Sequence, residues 1–409
     1  MNRPCNQPAA LGLLSALCVM FAIALHPGQA APAQVPEVPA AAGGIAHAAL
    51  LEYEETTYPI IYCWQSELST PATFTKKPDF GGRTVFQRML QFGEDTNNAV
   101  ACAWDADRGR LYLDLNGNRD LTDDPAGVFS APDSNRFQTF TNVHWTLNTS
   151  NGPQPLLADL HLYHFGSASH PQLQVMLRCF WQGKLALQGR EWQVGVIAGL
   201  GNKDPLRERG YLVLQPWSDR TNRIDLINGT PDAVGFAPEL FWLGRAYEVN
   251  CTFFNQEGRP RGRLEFKEVP TQWVDLRVAG SFLHRMVLER PREYTVVLDS
   301  PLSSTKVPKG TSQVSQVWIK SGTNQAVRKP MPPVMIDVTN GMSFTAGGPL
   351  TNSVTLSRRG RILVIDYRLT GAGGDEYRLV PADRTHPPGF VISQAGKVVR
   401  SVGSVARYV

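Results

Sequence analysis

Carboxylate and amide side chains recur at every second position of one short stretch of the chain. The stretch runs from Leu111 to Asp124. The alternating side chains belong to Asp114, Asn116, Asn118 and Asp120, and Asp123 and Asp124 close the run. Calcium binds about six to eight oxygens, and a loop that curls around the ion turns alternate residues inward. The spacing therefore predicts a calcium site, in which the last two aspartates provide a late carboxylate.

An Asx-rich turn that hydrogen-bonds only to its own backbone is the alternative interpretation of the same residues. Four of them are acidic within the eleven residues from Asp114 to Asp124. Carboxylates placed so close together repel one another unless a cation lies between them. This repulsion favours calcium, bound in a structural role, over the Asx-rich turn.

The run Asp114–Asp120 resembles the calcium loops of the EF-hand, dockerin and thrombospondin type 3 families. The resemblance implies that Asp114, Asn116, Asn118 and Asp120 are ligands, the last through its side chain or its backbone carbonyl. The stretch departs from the EF-hand pattern because Arg119 replaces the glycine at position 6 and Pro125 replaces the glutamate at position 12. The resemblance implies ion binding and nothing about the rest of the chain.

Strand-like segments must position this loop. The turn at 105–109 leads into an alternating segment, Arg110–Leu115, so that the second strand of a hairpin carries Asp114 to the loop. The whole chain of 409 residues is rich in Gly (36) and Pro (30), and its short β-branched and aromatic segments end at such turn residues. The pattern predicts an all-β fold of several antiparallel β-sandwiches.

The first thirty residues have the pattern of a secretory signal. Arg3 precedes an apolar core, Leu11–Leu25, and small residues at Gly28 and Ala30 form a cleavage site. A membrane anchor is the alternative, but it needs ~20 apolar residues, and this core ends at His26. We therefore expect a signal peptide over 1–30, a secreted or periplasmic location, and no membrane span after cleavage.

The remaining chain divides at changes in turn density and proline content. The predicted segments are a flexible leader (31–47), a β-domain with the calcium loop (48–155), a second β-region (156–290), connecting strands with a proline-rich hinge (291–330) and an immunoglobulin-like sandwich (331–409). The layout is similar to that of exported bacterial proteins with a terminal β-sandwich. That similarity implies no particular activity.

Four cysteines follow the signal segment, namely Cys63, Cys102, Cys179 and Cys251. An oxidising compartment allows two bridges among them, in three pairings that the sequence does not rank. Each also lies among large apolar neighbours, which equally suits buried free thiols. The sequence has no CxxC pair, so it gives no support to a zinc ribbon or to thioredoxin-like chemistry.

No segment of the sequence assembles a nucleophile, a base and an orienting group. Asp159 and His161 alternate on one strand face, but a site there needs further residues from elsewhere. The net charge of +4 is modest for this length and does not predict nucleic-acid binding. Nine tryptophans suggest flat aromatic strips that bind sugars, and the four considered for this role are Trp181, Trp192, Trp217 and Trp242.

The sequence thus favours an exported, calcium-stabilised β-sandwich protein that acts as a binding or structural module of the cell envelope. Its expected partner is a glycan or another envelope component. The alternative is a secreted, glycosidase-like hydrolase whose carboxylates are dispersed on loops.

Overall fold

The computed structural model describes thirteen ranges of the chain. These are residues 46–91, 98–131, 137–164, 170–198, 210–219, 224, 226–227, 229–329, 334–338, 341–360, 362–380, 389–394 and 397–403. The predicted signal peptide and nearly all of the predicted leader lie outside these ranges. All of the described residues belong to one unit, Ala42–Val409.

The described residues form strands, two single-turn 3₁₀ helices, at Pro125–Gly127 and Trp217–Asp219, and no α-helix. The strands of the first half are β1 (Ala46–Glu55), β2 (Ile61–Glu67), β3 (Val85–Gln91), β4 (Ala99–Asp105), β5 (Arg110–Leu113), β6 (Val128–Ser130), β7 (Phe137–Thr149), β8 (Gly152–Tyr163), β9 (Gln172–Leu177), β10 (Cys179–Leu187), β11 (Arg190–Ile197), β12 (Tyr211–Pro216) and β13 (Ala233–Gly235).

The strands of the second half are β14 (Glu239–Trp242), β15 (Arg245–Gln256), β16 (Arg259–Val269), β17 (Trp273–Ala279), β18 (Leu283–Arg290), β19 (Tyr294–Asp299), β20 (Ser304–Pro308), β21 (Gly310–Ser321), β22 (Asn324–Arg328), β23 (Val334–Val338), β24 (Met342–Thr345), β25 (Thr351–Arg359), β26 (Ile362–Thr370), β27 (Glu376–Val380), β28 (Gly389–Gln394) and β29 (Lys397–Gly403). The all-β prediction is confirmed.

One sheet of 16 strands organises the described chain. Its order is β13-β12-β11-β10-β1-β16-β15-β14-β19-β18-β21-β22-β27-β26-β25, with β23 added beside β21. All its neighbours are antiparallel except the parallel pair β14 and β19. The sheet curves so that one face encloses a core of its own side chains, among them Trp181, Val194, Leu264 and Val297.

Smaller sheets cover the outside of this large sheet. The sheets β2-β9-β8-β7 and β3-β4-β5-β6 share a second core with it, which includes Trp104, Phe140 and residues of β10 to β12. A third core lies between the later strands of the large sheet and the sheet β20-β17-β24, around Leu276, Met286 and Val307. The architecture is therefore one of stacked, mainly antiparallel sheets with apolar layers between them.

Several strands after residue 331 pair with strands before it. Strand β23 pairs with β21, β24 with β17 and β27 with β22. Buried residues of this segment, such as Ile336, Leu369 and Tyr377, lie in the core that β17 to β21 also line. These pairings do not confirm an immunoglobulin-like sandwich over 331–409.

Candidate functional site

A hairpin presents the first residue of the predicted calcium site. Strands β4 and β5 pair in the register Asp105↔Arg110, so the predicted turn at 105–109 joins them. Asp114 follows β5 directly, and its backbone N–H donates to the carbonyl of Ala101 at 2.9 Å. Its side chain is buried, with 3% exposure. The strand therefore fixes a carboxylate against the core where the loop begins.

The centre of the loop is a series of tight turns. Gly117 and Arg119 have positive φ angles of 77° and 67°, which an arginine adopts at a cost. Asn116 Oδ1 accepts the N–H of Asn118 at 3.0 Å, and Asn118 Oδ1 accepts the N–H of Asp120 at 2.7 Å. Asp120 continues the pattern by accepting the N–H of Thr122 at 2.8 Å. These contacts are those of successive Asx turns.

The two late aspartates fold back onto the beginning of the loop. Asp123 accepts hydrogen bonds from the side-chain amides of Asn116 at 3.3 Å and Asn118 at 2.6 Å. Asp124 is buried, and its Oδ2 accepts the N–H of Leu115 at 3.2 Å. The structure therefore brings the six predicted residues into one loop, with Asp114 and Asp124 on its inner side.

The carboxylates of this loop repel one another and are only partly neutralised. Burial raises the pKa of Asp124, and the nearby Asp123 and Asp114 raise it further. Arg119 Nε lies 3.9 Å from Asp114 Oδ2, whereas Oδ1 of Asp114 is buried and accepts no hydrogen bond from any described residue. A buried carboxylate oxygen without a partner is costly. An additional cation would remove that cost.

Asp114 and Asp124 offer two buried carboxylates of the kind that calcium binds, but two carboxylates do not complete a calcium site. Within the described ranges, no three Asp, Glu, His or Cys side chains are placed so that they could hold a metal ion by themselves. A calcium ion at Asp114 and Asp124 would therefore also need amide and backbone oxygens, which calcium accepts. The side-chain oxygens of Asn116 and Asn118, now in Asx turns, are the nearest such groups in sequence.

The tryptophans do not form an exposed strip on the described surface. Trp181, Trp192 and Trp242 are buried, and the rings of Trp192 and Trp242 lie edge to face with centroids 4.5 Å apart. Trp217 is half-buried, with the ammonium of Lys184 4.9 Å from its ring centroid. Three of the four tryptophans considered for sugar binding therefore have no face that a sugar could reach.

Asp159 belongs to a structural network. Its Oδ1 accepts hydrogen bonds from Arg178 Nη1 at 3.0 Å and from the backbone N–H of Asn142 at 3.1 Å. Asn142 has a φ of 57° and lies at a bulge in β7. Sequence reasoning missed Arg178 because the bulge that brings these residues together leaves no local pattern. Burial lowers the pKa of His161, and the charge of Asp159 opposes that shift.

The structure also shows the surroundings of three cysteines in the described part of the chain. Cys102 and Cys179 are buried free thiols, and Cys251 is also buried. Burial raises the pKa of Cys102 to about 12 and that of Cys179 to about 11. Reactive thiols need a lowered pKa. Cys102 and Cys179 are therefore packing residues.

A cleft of about 630 Å³ lies where β2, β12, β13, β18, β19 and β21 meet. Among the described residues that line it, Glu289 is the one carboxylic acid. Hydrolysis of a glycoside by the usual mechanism needs a pair of carboxyl groups. The described lining of the cleft therefore offers one carboxyl group rather than a pair. Sequence reasoning gave no sign of Glu289.

Comparisons with family models, with curated proteins and with solved structures found no match to this chain. Within the described ranges, no helix has the length and apolar character needed to cross a membrane. Function must therefore be inferred from the residues of the chain itself.

Proposed function

We propose that this chain is an exported, calcium-stabilised all-β protein that serves as a binding or structural module of the cell envelope. The observation that supports calcium most directly is Oδ1 of Asp114, which is buried and has no hydrogen-bond partner among the described residues. Native proteins rarely leave such an atom unsatisfied. A divalent cation bound by oxygens would satisfy it.

The electrostatics of the loop favour a cation over a neutral ligand. Asp114 and Asp124 are both buried, with 3% and 9% exposure, and their charges act on each other. Arg119 is the nearest cation to Asp114, and it reaches only one of the two carboxylate oxygens. Calcium would bind both aspartates at once and would offset their repulsion. Asn116, Asn118, Asp120 and Asp123 would then complete its coordination.

A structural role for the ion follows from what the loop connects. Asp114 continues β5, and Asp124 precedes the single-turn helix that leads into β6. The backbone of the loop also bonds to the segment before β3, because Thr75 donates its N–H to the carbonyl of Arg119 at 2.9 Å. An ion between Asp114 and Asp124 would therefore hold three separate parts of this sheet together.

Thermal melting with calcium and with a chelator tests this proposal. Calcium at a hundredfold excess over its dissociation constant should stabilise the folded chain by ~2.7 kcal/mol, which raises Tm by a few degrees. In Asp114→Asn, the calcium shift should disappear, while the hydrogen bond from Arg119 remains possible. Asp107→Asn, at an exposed position outside the loop, is the matched control and should keep the full shift. A wild-type Tm that does not respond to calcium would leave the Asx-turn interpretation alone.

Export is tested separately from calcium. The chain produced with residues 1–30 in a bacterial host should appear in the periplasmic fraction. Its intact mass should correspond to a chain that begins at Ala31. An uncleaved chain confined to the cytoplasm would remove export from the proposal and leave the calcium site unaffected.

A further inference from the structure

The large sheet curves until β13, at one end of its strand order, approaches β18 and β19. Side chains close the gap between β13 and these two strands. Strand β13 is the end of the ladder, and Gly235 offers its N–H to Glu289 Oε1 at 3.1 Å. The carbonyl of Gly235 accepts the hydroxyl of Thr295 at 2.9 Å. A Cβ at position 235 would lie 2.8 Å from Glu289 Oε1, so glycine is needed for this approach. The backbone groups at this seam are therefore satisfied by side chains of β18 and β19.

The cleft opens at this seam. Its lining includes three aromatic residues from three different places, Tyr62 of β2, Tyr211 of β12 and Phe236 after β13. Phe236 is buried, Tyr211 is half-buried and Tyr62 is 50% exposed. The rings thus line the cleft from its floor to its mouth. Its volume of about 630 Å³ lies in the range of small-molecule sites.

The acid and the two arginines that line the cleft lie in different parts of it. Glu289 lies at the seam, where burial raises its pKa and Ser315 contributes a hydrogen bond. Arg290 and Arg292 line the cleft from the turn between β18 and β19. Arg292 has a φ of 70°, a conformation that costs energy for a residue with a side chain and that often occurs at ligand sites. Among the described residues that line the cleft there are two cations and one acid, so these side chains carry a net positive charge even when Glu289 is ionised.

We propose that this cleft binds a sugar acid, a hydroxylated ring that carries one carboxylate. The C–H faces of the ring would lie against Tyr62 and Tyr211, as sugar rings do on aromatic side chains. The carboxylate would meet Arg290 and Arg292, whose planar guanidinium groups suit its geometry. A ring hydroxyl would exchange a hydrogen bond with Glu289, which both donates and accepts when it is protonated.

The same groups argue against other small ligands. A cationic sugar would be repelled by Arg290 and Arg292, which are separated by one residue in the chain. A wholly apolar ligand would remove water from Arg290 and Arg292 and would offer them no acceptor, at a cost in free energy. A neutral sugar would use the rings and Glu289 but would gain nothing from the arginines. Glu293, which pairs with Arg290 at 3.0 Å, lies in the same turn and competes with a ligand for Arg290.

This inference rests on the binding role in the proposed function and gives it a ligand class and a site. The cleft shares no residue with the calcium loop. A failure of sugar binding and a failure of calcium binding are therefore separate results.

Ligand-observed NMR on the whole mature chain tests the inference with D-glucuronate, D-glucose and D-glucosamine, three sugars that differ mainly in charge. For D-glucuronate we expect saturable binding with a dissociation constant on the order of 1 mM. This value follows from the binding free energy per atom that is typical of small ligands. D-glucose should bind at least tenfold more weakly, and D-glucosamine should show no binding. Equal binding of the three sugars, or no binding of D-glucuronate, would overturn the proposal.

Substitutions of residues that line the cleft show whether the sugar binds there. Arg292→Asn removes the charge and keeps a residue that tolerates positive φ, so it should lose D-glucuronate affinity about tenfold with an unchanged Tm, as one charge-assisted contact predicts. Arg290→Gln is a second charge variant in case the first does not fold. Tyr62→Ala should also weaken binding, whereas Tyr367→Ala, at another exposed tyrosine, should not. Unchanged affinity in the folded arginine variants would place the sugar outside this cleft.

Discussion

The guanidinium of Arg285 lies 2.6 Å from the carboxylate of Asp299, through Nε and Oδ1. Arg285 is 3% exposed, and its Nη1 donates to the carbonyl of Pro231 at 2.7 Å and to that of Leu214 at 3.1 Å. Asp299 also accepts the indole N–H of Trp242 at 3.1 Å. Arg285 therefore joins β18 to the segment before β13 and to β12, on the same seam that Glu289 and Thr295 close.

Replacing Arg285 with alanine should destabilise the protein by roughly 3 kcal/mol. The change removes the donor of two carbonyls and of Asp299 Oδ1. Asp299 keeps its hydrogen bond from Trp242 and some access to water, which places the loss at the lower end of the usual range. Chemical denaturation of the mature chain measures it. Arg263→Ala, at an exposed arginine paired with Glu265, is the control and should cost well under 1 kcal/mol. Equal losses in the two variants would contradict the role of Arg285 at the seam.

Glu289 should make stability depend on pH. Burial raises its pKa in the folded chain, so its favourable contribution is fully present below its unfolded pKa of about 4.3 and is lost as pH rises through the folded pKa. Glu289→Gln should therefore match the wild type near pH 4 and become the more stable of the two toward pH 8. Melting curves across this range measure the difference. Glu248→Gln, at an exposed glutamate, is the control and should show no such trend. If Tm of Glu289→Gln and Tm of the wild type change with pH in parallel, the argument is refuted.

Local turns were predictable from the sequence because specific residues are needed to form them. The segments 187–194 and 243–249 show the same glycine turn, and in the structure Gln188-Gly189 and Leu243-Gly244 both have two successive positive φ angles. This is the tight turn that suits the twist of a hairpin. The β4–β5 hairpin and the bounds of β23 follow from turn residues and alternation in the same way.

Long-range pairings were not predictable, because ladder hydrogen bonds use backbone groups that every residue carries. Strand β1 lies between β10 and β16, with Leu51 opposite both Gly183 and Gly262. Nothing near Leu51 in sequence indicates either partner. The cleft depends on such pairings, since Tyr62, Tyr211 and Glu289 come together only after the sheet has curved. The turns of the loop Asp114–Asp124 could be anticipated from sequence because its residues are consecutive, and calcium binding there stays a prediction.

The segment 331–409 should not fold by itself. Its strands β23, β24 and β27 take their pairing partners from β21, β17 and β22. In isolation, Ile336, Leu369 and Tyr377 would lose the core residues that they contact. A fragment that begins at residue 331 is therefore expected to give a non-cooperative melt by circular dichroism, while the mature chain melts cooperatively. A soluble fragment with a sharp transition would support an independent terminal sandwich.

A substitution at Gly127 should affect both the stability of the chain and the binding of calcium by the proposed loop. A Cβ at this position would lie 2.2 Å from the carbonyl oxygen of Leu113, at the end of β5. The N–H of Gly127 also donates to the carbonyl of Asp124 at 2.9 Å. Gly127→Ala must therefore push the single-turn helix away from β5 and move Asp124 away from Asp114. We expect a lower Tm in chelator and a smaller calcium shift.

The control for this variant is Gly117→Asn, in the same loop. Gly117 has a φ of 77° and open space around its Cβ direction, and asparagine tolerates this conformation better than other residues with side chains. The control should lose little stability and keep the calcium shift. If Gly127→Ala lowers Tm but keeps the full shift, Asp124 is not a ligand, and the ion is held by Asp114 with the residues up to Asp123. If it changes neither quantity, the contact between the helical turn and β5 does not exist in solution.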